Sequence, residues 1–86
     1  MADWYVYIIE TTTGKLYTGI SPDPDQRFKK HKEGKGARFF RIHPPKKIVY
    51  RELIGSKSDA LRRESAIKKM KAPEKRNLIK GENHGI

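Results

Sequence analysis

The chain has 86 residues, of which 20 are Lys or Arg and 10 are Asp or Glu, for a formal charge of +10; only 35% are hydrophobic. That length supports one domain with one small core, and the absence of cysteine excludes disulfide staples, thiolate metal sites and a cysteine nucleophile. The longest apolar run, Trp4 to Ile9, is far shorter than the ~20 residues a membrane span needs, and with no export signal expected ahead of it the chain reads as a cytoplasmic domain without a membrane partner.

Trp4 to Ile9 is aromatic and β-branched throughout, which predicts a strand buried on both faces. A turn at Thr12-Thr13-Gly14-Lys15 leads to a second short strand over 16–20, and the two make an antiparallel hairpin. Asp23 as N-cap and Pro24 in the first turn start a helix that runs to about Glu33 and stops at Gly34-Lys35-Gly36. Residues 37–46 read as irregular. A third strand spans Ile48-Val49-Tyr50 and Leu53-Ile54, ending at Gly55. Ser56 with Asp59 resembles a capping box for a long helix reaching about Met70, and Pro73 opens a short last helix to Ile79. The expected fold is α+β, a small three-stranded antiparallel sheet flanked by helices in the order β-β-α-β-α-α. Residues 1–80 form a single domain and 81–86 a flexible C-terminal tail.

Charge is distributed unevenly over these elements. Residues 1–28 carry a net −2, residues 29–51 a net +8 with Glu33 their one acid, and residues 52–86 a net +4. Solubility alone is a poor account of such a block. Lys29, Lys30, Lys35, Arg38, Arg41, Lys46 and Lys47 interleave with Phe39, Phe40 and Tyr50. Cations neutralise phosphates and flat rings stack on unpaired bases, so nucleic acid is the leading partner. Core packing is the plain alternative for Phe39 and Phe40. An anionic membrane surface ranks lower, because no basic helix has an opposite face of large apolar groups.

Some polar residues fall where apolar ones are expected. On a helical wheel with Ala60 at zero, Ile67 falls near −20°, Met70 near −80° and Leu61 near +100°, and that arc is the core stripe. Glu64 lands inside it, at about +40°. A carboxylate there must be paired, protonated or metal-bound, the ordinary reading being a structural ion pair. Arg27 and His31 stack one turn apart on the first helix, beside Phe28 as its anchor. His43 and His84 read as ordinary surface or core histidines, and the spacing of the three histidines makes a structural zinc site a poor reading. Tyr5, Tyr7 and Tyr17 are unremarkable in strands, but Gly19 inside a strand marks a close approach of backbone or ligand. Phenols, imidazole, guanidinium and carboxylate together suit phosphodiester cleavage.

The ordered set resembles the GIY-YIG nuclease superfamily, in particular its small single-domain bacterial branch, over roughly residues 4–80. Tyr5-Val6-Tyr7 stands at the first signature triplet and Tyr17-Thr18-Gly19 at the second, with Arg27 ten residues after Tyr17 and His31 a turn later. Gly34-Lys35-Gly36-Ala37-Arg38 and the run at 57–64 are also similar to this branch. The resemblance implies that Tyr7 is the general base and that Tyr17 holds the water or the scissile phosphate. By the same resemblance Arg27 stabilises the pentavalent transition state, and His31 assists proton transfer or binds a phosphate oxygen. Glu64 would ligate one Mg²⁺ or Mn²⁺ ion, and Gly19 would permit tight packing near the substrate. Tyr5 departs from Gly in the first triplet and Thr18 from Ile in the second. Asn77 is a candidate for the family's downstream Asn. A tyrosine base would need a nearby cation, for which Lys15 or Lys29 could serve. The implied activity is metal-dependent endonucleolytic cleavage, with DNA ahead of RNA as substrate. The alternatives are a non-catalytic nucleic-acid-binding module on a nuclease fold, or an RNA-associated interaction protein that uses only the charge. A protein partner or homodimer is compatible with a domain this small.

Overall fold

In the computed structural model, which describes residues 3–35 and 37–84, the strand Trp4–Thr11 (β1) is paired along both edges. Leu16–Ser21 (β2) lies antiparallel on one side and Pro45–Gly55 (β3) antiparallel on the other, in the order β2-β1-β3. A central strand with helices over both faces has no solvent side. Val6, Tyr7, Ile8 and Ile9 are accordingly each no more than 1% exposed.

Alternate residues of β1 feed two separate cores. Val6 and Ile8 pack with Tyr50, Ala60 and Ile67 beneath helices Lys57–Lys68 (α3) and Ala72–His84 (α4). Tyr7 and Ile9 pack with Phe40 on the opposite face, bordered by Tyr17, Phe28 and Phe39, beneath Pro24–Lys32 (α1) and Phe39–Ile42 (α2). The helix starts follow the capping chemistry of the sequence. The Gln26 N–H donates to the Asp23 carboxylate at 3.1 Å, and the Asp59 N–H donates to the Ser56 hydroxyl at 3.1 Å.

Fold class, the three-stranded antiparallel sheet and, apart from one added helical turn, the order of elements along the chain are those expected from the sequence. The differences are local. Phe40 folds into the core at 6% exposure and pulls one helical turn, α2, out of a segment expected to be irregular. β3 begins earlier, at Pro45, a position an edge strand tolerates because the missing N–H costs no pairing on the open side. The last helix starts at Ala72 and continues past Ile79 to His84, so helix reaches into the stretch expected to be a tail. Leu61, placed on the core arc by the wheel, is 46% exposed, since a narrow sheet is covered by the Ala60–Ile67 stripe alone. Gly36 and the last two positions, 85–86, lie outside the described residues.

Candidate active site

Gly19 positions the site. It faces Tyr7 across the β1–β2 pairing, on the edge strand of the sheet. A Cβ at this position would stand 2.7 Å from the Tyr7 hydroxyl oxygen, 2.8 Å from Cζ and 3.1 Å from the Tyr17 ring. The missing side chain therefore lets the Tyr7 ring lie across β2 with its hydroxyl at the sheet edge. There the hydroxyl meets His31 Nε2 at 3.2 Å. The imidazole is 2% exposed and wedged between Phe40, at a ring separation of 4.3 Å, and Tyr17, at 5.6 Å. Its Nδ1 is buried and, among the described residues, has no hydrogen-bond partner.

α1 delivers both His31 and the exposed Arg27, one turn apart. Its orientation on the sheet is held by Asp25, which pairs with Arg51 of β3 at 2.7 Å. Glu64 arrives from the other layer. α3 packs against β2 as well as β1 and β3, and Glu64 stands between the buried Ala60 and Ile67 with a side chain 19% exposed. Its carboxylate pairs with Lys68 Nζ at 3.5 Å, and its charge acts on both Tyr7 and Tyr17.

The electrostatics divide the roles. Burial pushes the Tyr7 hydroxyl up to about 12, helped by Tyr17 and Glu64 and opposed by the charge and hydrogen bond of Arg27. Tyr17 is raised for the same first reason, with Arg27 again pulling it down. His31 is lowered from its ordinary value, by burial and then by the Arg27 charge, so its imidazole is neutral at physiological pH. The cation that acts on both phenols is thus Arg27, rather than the Lys15 or Lys29 suggested by sequence.

The cations of the 29–51 block are all exposed and are carried by three different elements. Lys29, Lys30 and Lys35 lie on α1 and the loop after it, and Arg38 and Arg41 at α2. Lys46 and Lys47 sit on β3, the sheet edge opposite Gly19. Phe39 packs on Tyr17, Phe40 and His43 rather than standing free. Asn77 lines a cleft of about 740 Å³ with Tyr50, Glu52 and Arg63, among residues of the α3–α4 layer, and is not brought to the phenols. Sequence reasoning missed the Arg51–Asp25 tie and the support of His31 by Phe40. Only the odd burial of a Phe amid cations hinted at the second.

Among the described residues no three His, Cys, Asp or Glu side chains converge as a metal cage. Glu64 offers one partly exposed carboxylate. Mg²⁺ keeps several waters and binds through one or two carboxylates plus substrate oxygens, so this donor set fits such an ion and not a structural zinc.

A three-stranded antiparallel sheet with helices on both faces and two tyrosines facing one of them is an architecture that known proteins share. The chain belongs to the GIY-YIG family, matching the GIY-YIG catalytic domain over residues 3–77. This is a nuclease-type fold, and the family's members are generally endonucleases. The chain is 50% identical over 78 residues to a UPF0213 protein of Pseudomonas aeruginosa, covering 91% of this chain and 75% of that one. It is 41% identical over 75 residues to one of Staphylococcus saprophyticus, covering 87% and 92%. The solution NMR structure of a UPF0213 protein from Bacillus halodurans is similar at a TM-score of 0.58 and 38% identity, over 91% of this chain and 83% of that one. Among the described residues no helix is long and apolar enough to cross a membrane.

Proposed function

We propose that the chain is a metal-dependent endonuclease that hydrolyses phosphodiester bonds in nucleic acid, DNA ahead of RNA. The observation that carries this reading is the Tyr7 hydroxyl, laid over Gly19 against the neutral His31 at 3.2 Å, with Arg27 and Glu64 acting on the same phenol.

A phenol pushed to about 12 does not ionise by itself at neutral pH. His31 supplies the acceptor. As water attacks phosphorus in line, its proton passes to the Tyr7 oxygen while the Tyr7 proton moves to His31 Nε2. The bond from phosphorus to the leaving oxygen breaks on the opposite side. Tyr17 orients the attacking water or a phosphate oxygen, and Arg27 meets the charge that builds on the equatorial oxygens. A Mg²⁺ or Mn²⁺ ion held by Glu64, with Lys68 displaced, would neutralise the leaving oxygen.

The binding-module alternative draws on the 1% exposure of Tyr7, which leaves little room for water at the phenol before substrate arrives. One assay separates the two readings. Branched, flapped and single-stranded DNA and RNA are incubated with Mg²⁺, Mn²⁺ or chelator. Metal-dependent nicking reduced at least ~100-fold by Glu64→Ala and by Arg27→Ala is the expected result. Binding without cleavage of any substrate would leave only the module.

A further inference from the structure

A second cationic cleft lies beyond the site, between the β1–β2 turn and the start of α4. It has a volume of about 540 Å³ and is bordered by Thr13, Gly14, Lys15, Ala72, Lys75 and Arg76, with no acidic side chain in its lining. Among the described residues none of its three cations is paired with an acid, whereas Arg51, Arg63 and Lys68 are. Three like charges around one cleft repel each other, and that cost is relieved by an anion between them. The nearest acid on α4, Glu74, is directed to the Lys71 N–H at 3.0 Å.

The wall that carries Lys15 is rigid. The Lys15 carbonyl accepts from the Thr11 N–H at 3.0 Å and from the Thr11 hydroxyl at 2.8 Å. The Thr13 hydroxyl meets His43 Nδ1 at 2.7 Å, and the Thr12 N–H donates to the Pro44 carbonyl at 2.9 Å. A pinned turn removes the backbone ordering cost of binding, leaving only that of the exposed Lys15 side chain. Lys15 immediately precedes β2 and is four residues from Gly19 along the hairpin edge, while Lys75 and Arg76 come from α4, which packs on the α3 layer and not on the α1 layer that carries Arg27 and His31. At strand rise the separation of Lys15 from Gly19 is about 13 Å, on the order of two to four nucleotides of a bound strand.

We infer that this cleft is a second phosphate subsite, holding the nucleic-acid backbone a few nucleotides from the scissile bond along the β2 edge. The inference rests on the nucleic-acid part of the proposed function and not on cleavage. Lys75 and Arg76 lie outside the 29–51 block that the sequence marks as the phosphate grip, so the binding track extends beyond it.

The test is binding of labelled single-stranded and duplex DNA in chelator, across a salt series, for the wild type and for Lys15→Ala/Lys75→Ala/Arg76→Ala. Affinity at low salt is expected to fall about 10- to 100-fold, and the log–log salt slope to become shallower by about two to three. Lys15→Arg/Lys75→Arg/Arg76→Lys should retain the wild-type slope. An unchanged slope in the alanine variant overturns the inference. So does an equal loss when the same charge is removed at Lys57 and Arg62 of α3 and at Lys69, its C-cap, since that would be a net-charge effect. If inorganic tripolyphosphate binds the wild type while the alanine variant still binds DNA normally, the cleft serves free polyphosphate and the inference also fails. A protein that shows the slope change but never cuts would sink the nuclease reading and leave this one standing.

Discussion

On one face of β1, Val6 and Ile8 meet Ala60 and Ile67, all at 0% exposure, in a largely aliphatic core whose one buried titratable member is Tyr50, at 5%. On the other face, Tyr7 and Ile9 meet Tyr17, His31 and Phe40, and a phenol and an imidazole are buried against each other. The same strand thus carries two kinds of interior, one residue out of phase. The first stabilises through transfer from water and close packing. The second gives up some of that stabilisation to hold polar groups dry, which is the condition that shifts their proton affinities. Proton chemistry and stability should therefore separate by face, with Glu64 the one proposed site residue supplied from the aliphatic layer.

The largest effect is expected from the aliphatic face. Ile67→Ala removes a fully buried side chain and should cost about 2–5 kcal/mol in denaturant unfolding. Cleavage per folded molecule should stay within a few fold. If activity per folded molecule collapsed while Ile67→Val preserved it, the two faces would not be separable.

Next comes Gly19→Ala, which sets a methyl carbon against the Tyr7 hydroxyl and ring. Overpacking of this kind costs about 1–3 kcal/mol. Because the atom that must move is the hydroxyl proposed to react, a ~10- to 100-fold loss of cleavage should exceed the loss expected from stability alone. Wild-type activity in this variant would show that the position of Tyr7 over β2 is immaterial.

The smallest effect is in pH dependence. A neutral His31 that takes the proton makes the rate fall on acidification through a midpoint below 6.5, with a plateau at neutral and mildly alkaline pH. A phenolate base at about 12 would instead give a rate rising about tenfold per pH unit across the same range. Stability has the matching sign. The unfolded chain binds the His31 proton more readily than the folded one, so the contribution is complete above about 6.5 and declines as pH falls below it. Single-turnover rates and urea midpoints between pH 5 and 9 check both.

The sequence revealed the sheet because Trp4 to Ile9 and Ile48 to Ile54 have strong strand character, and it marked Glu64 as a carboxylate on a core stripe, which the structure places partly buried and paired with Lys68. Gly19 was legible for a similar reason, as the residue least suited to a strand interior. The α2 turn was not, since four residues among Arg38, Arg41 and His43 have no amphipathic period to read. Nor was the splitting of the basic block across α1, α2 and β3. Charge counts along a chain carry no information about which sheet edge a residue reaches. Lys75 and Arg76 join Lys15 only because α4 begins beside the hairpin turn, a tertiary contact between segments sixty residues apart.

The proposed relay from Tyr7 to His31 is tested most directly by the single-turnover cleavage rate of Tyr7→Phe with Mg²⁺, measured beside its unfolding midpoint. Phe keeps the ring over Gly19 and removes only the hydroxyl, leaving His31 Nε2 without its 3.2 Å partner. The expected result is a rate at least ~100-fold lower for a stability loss of only about 1–3 kcal/mol. A Tyr7→Phe protein that cuts at the wild-type rate would contradict the proposed role of this hydroxyl.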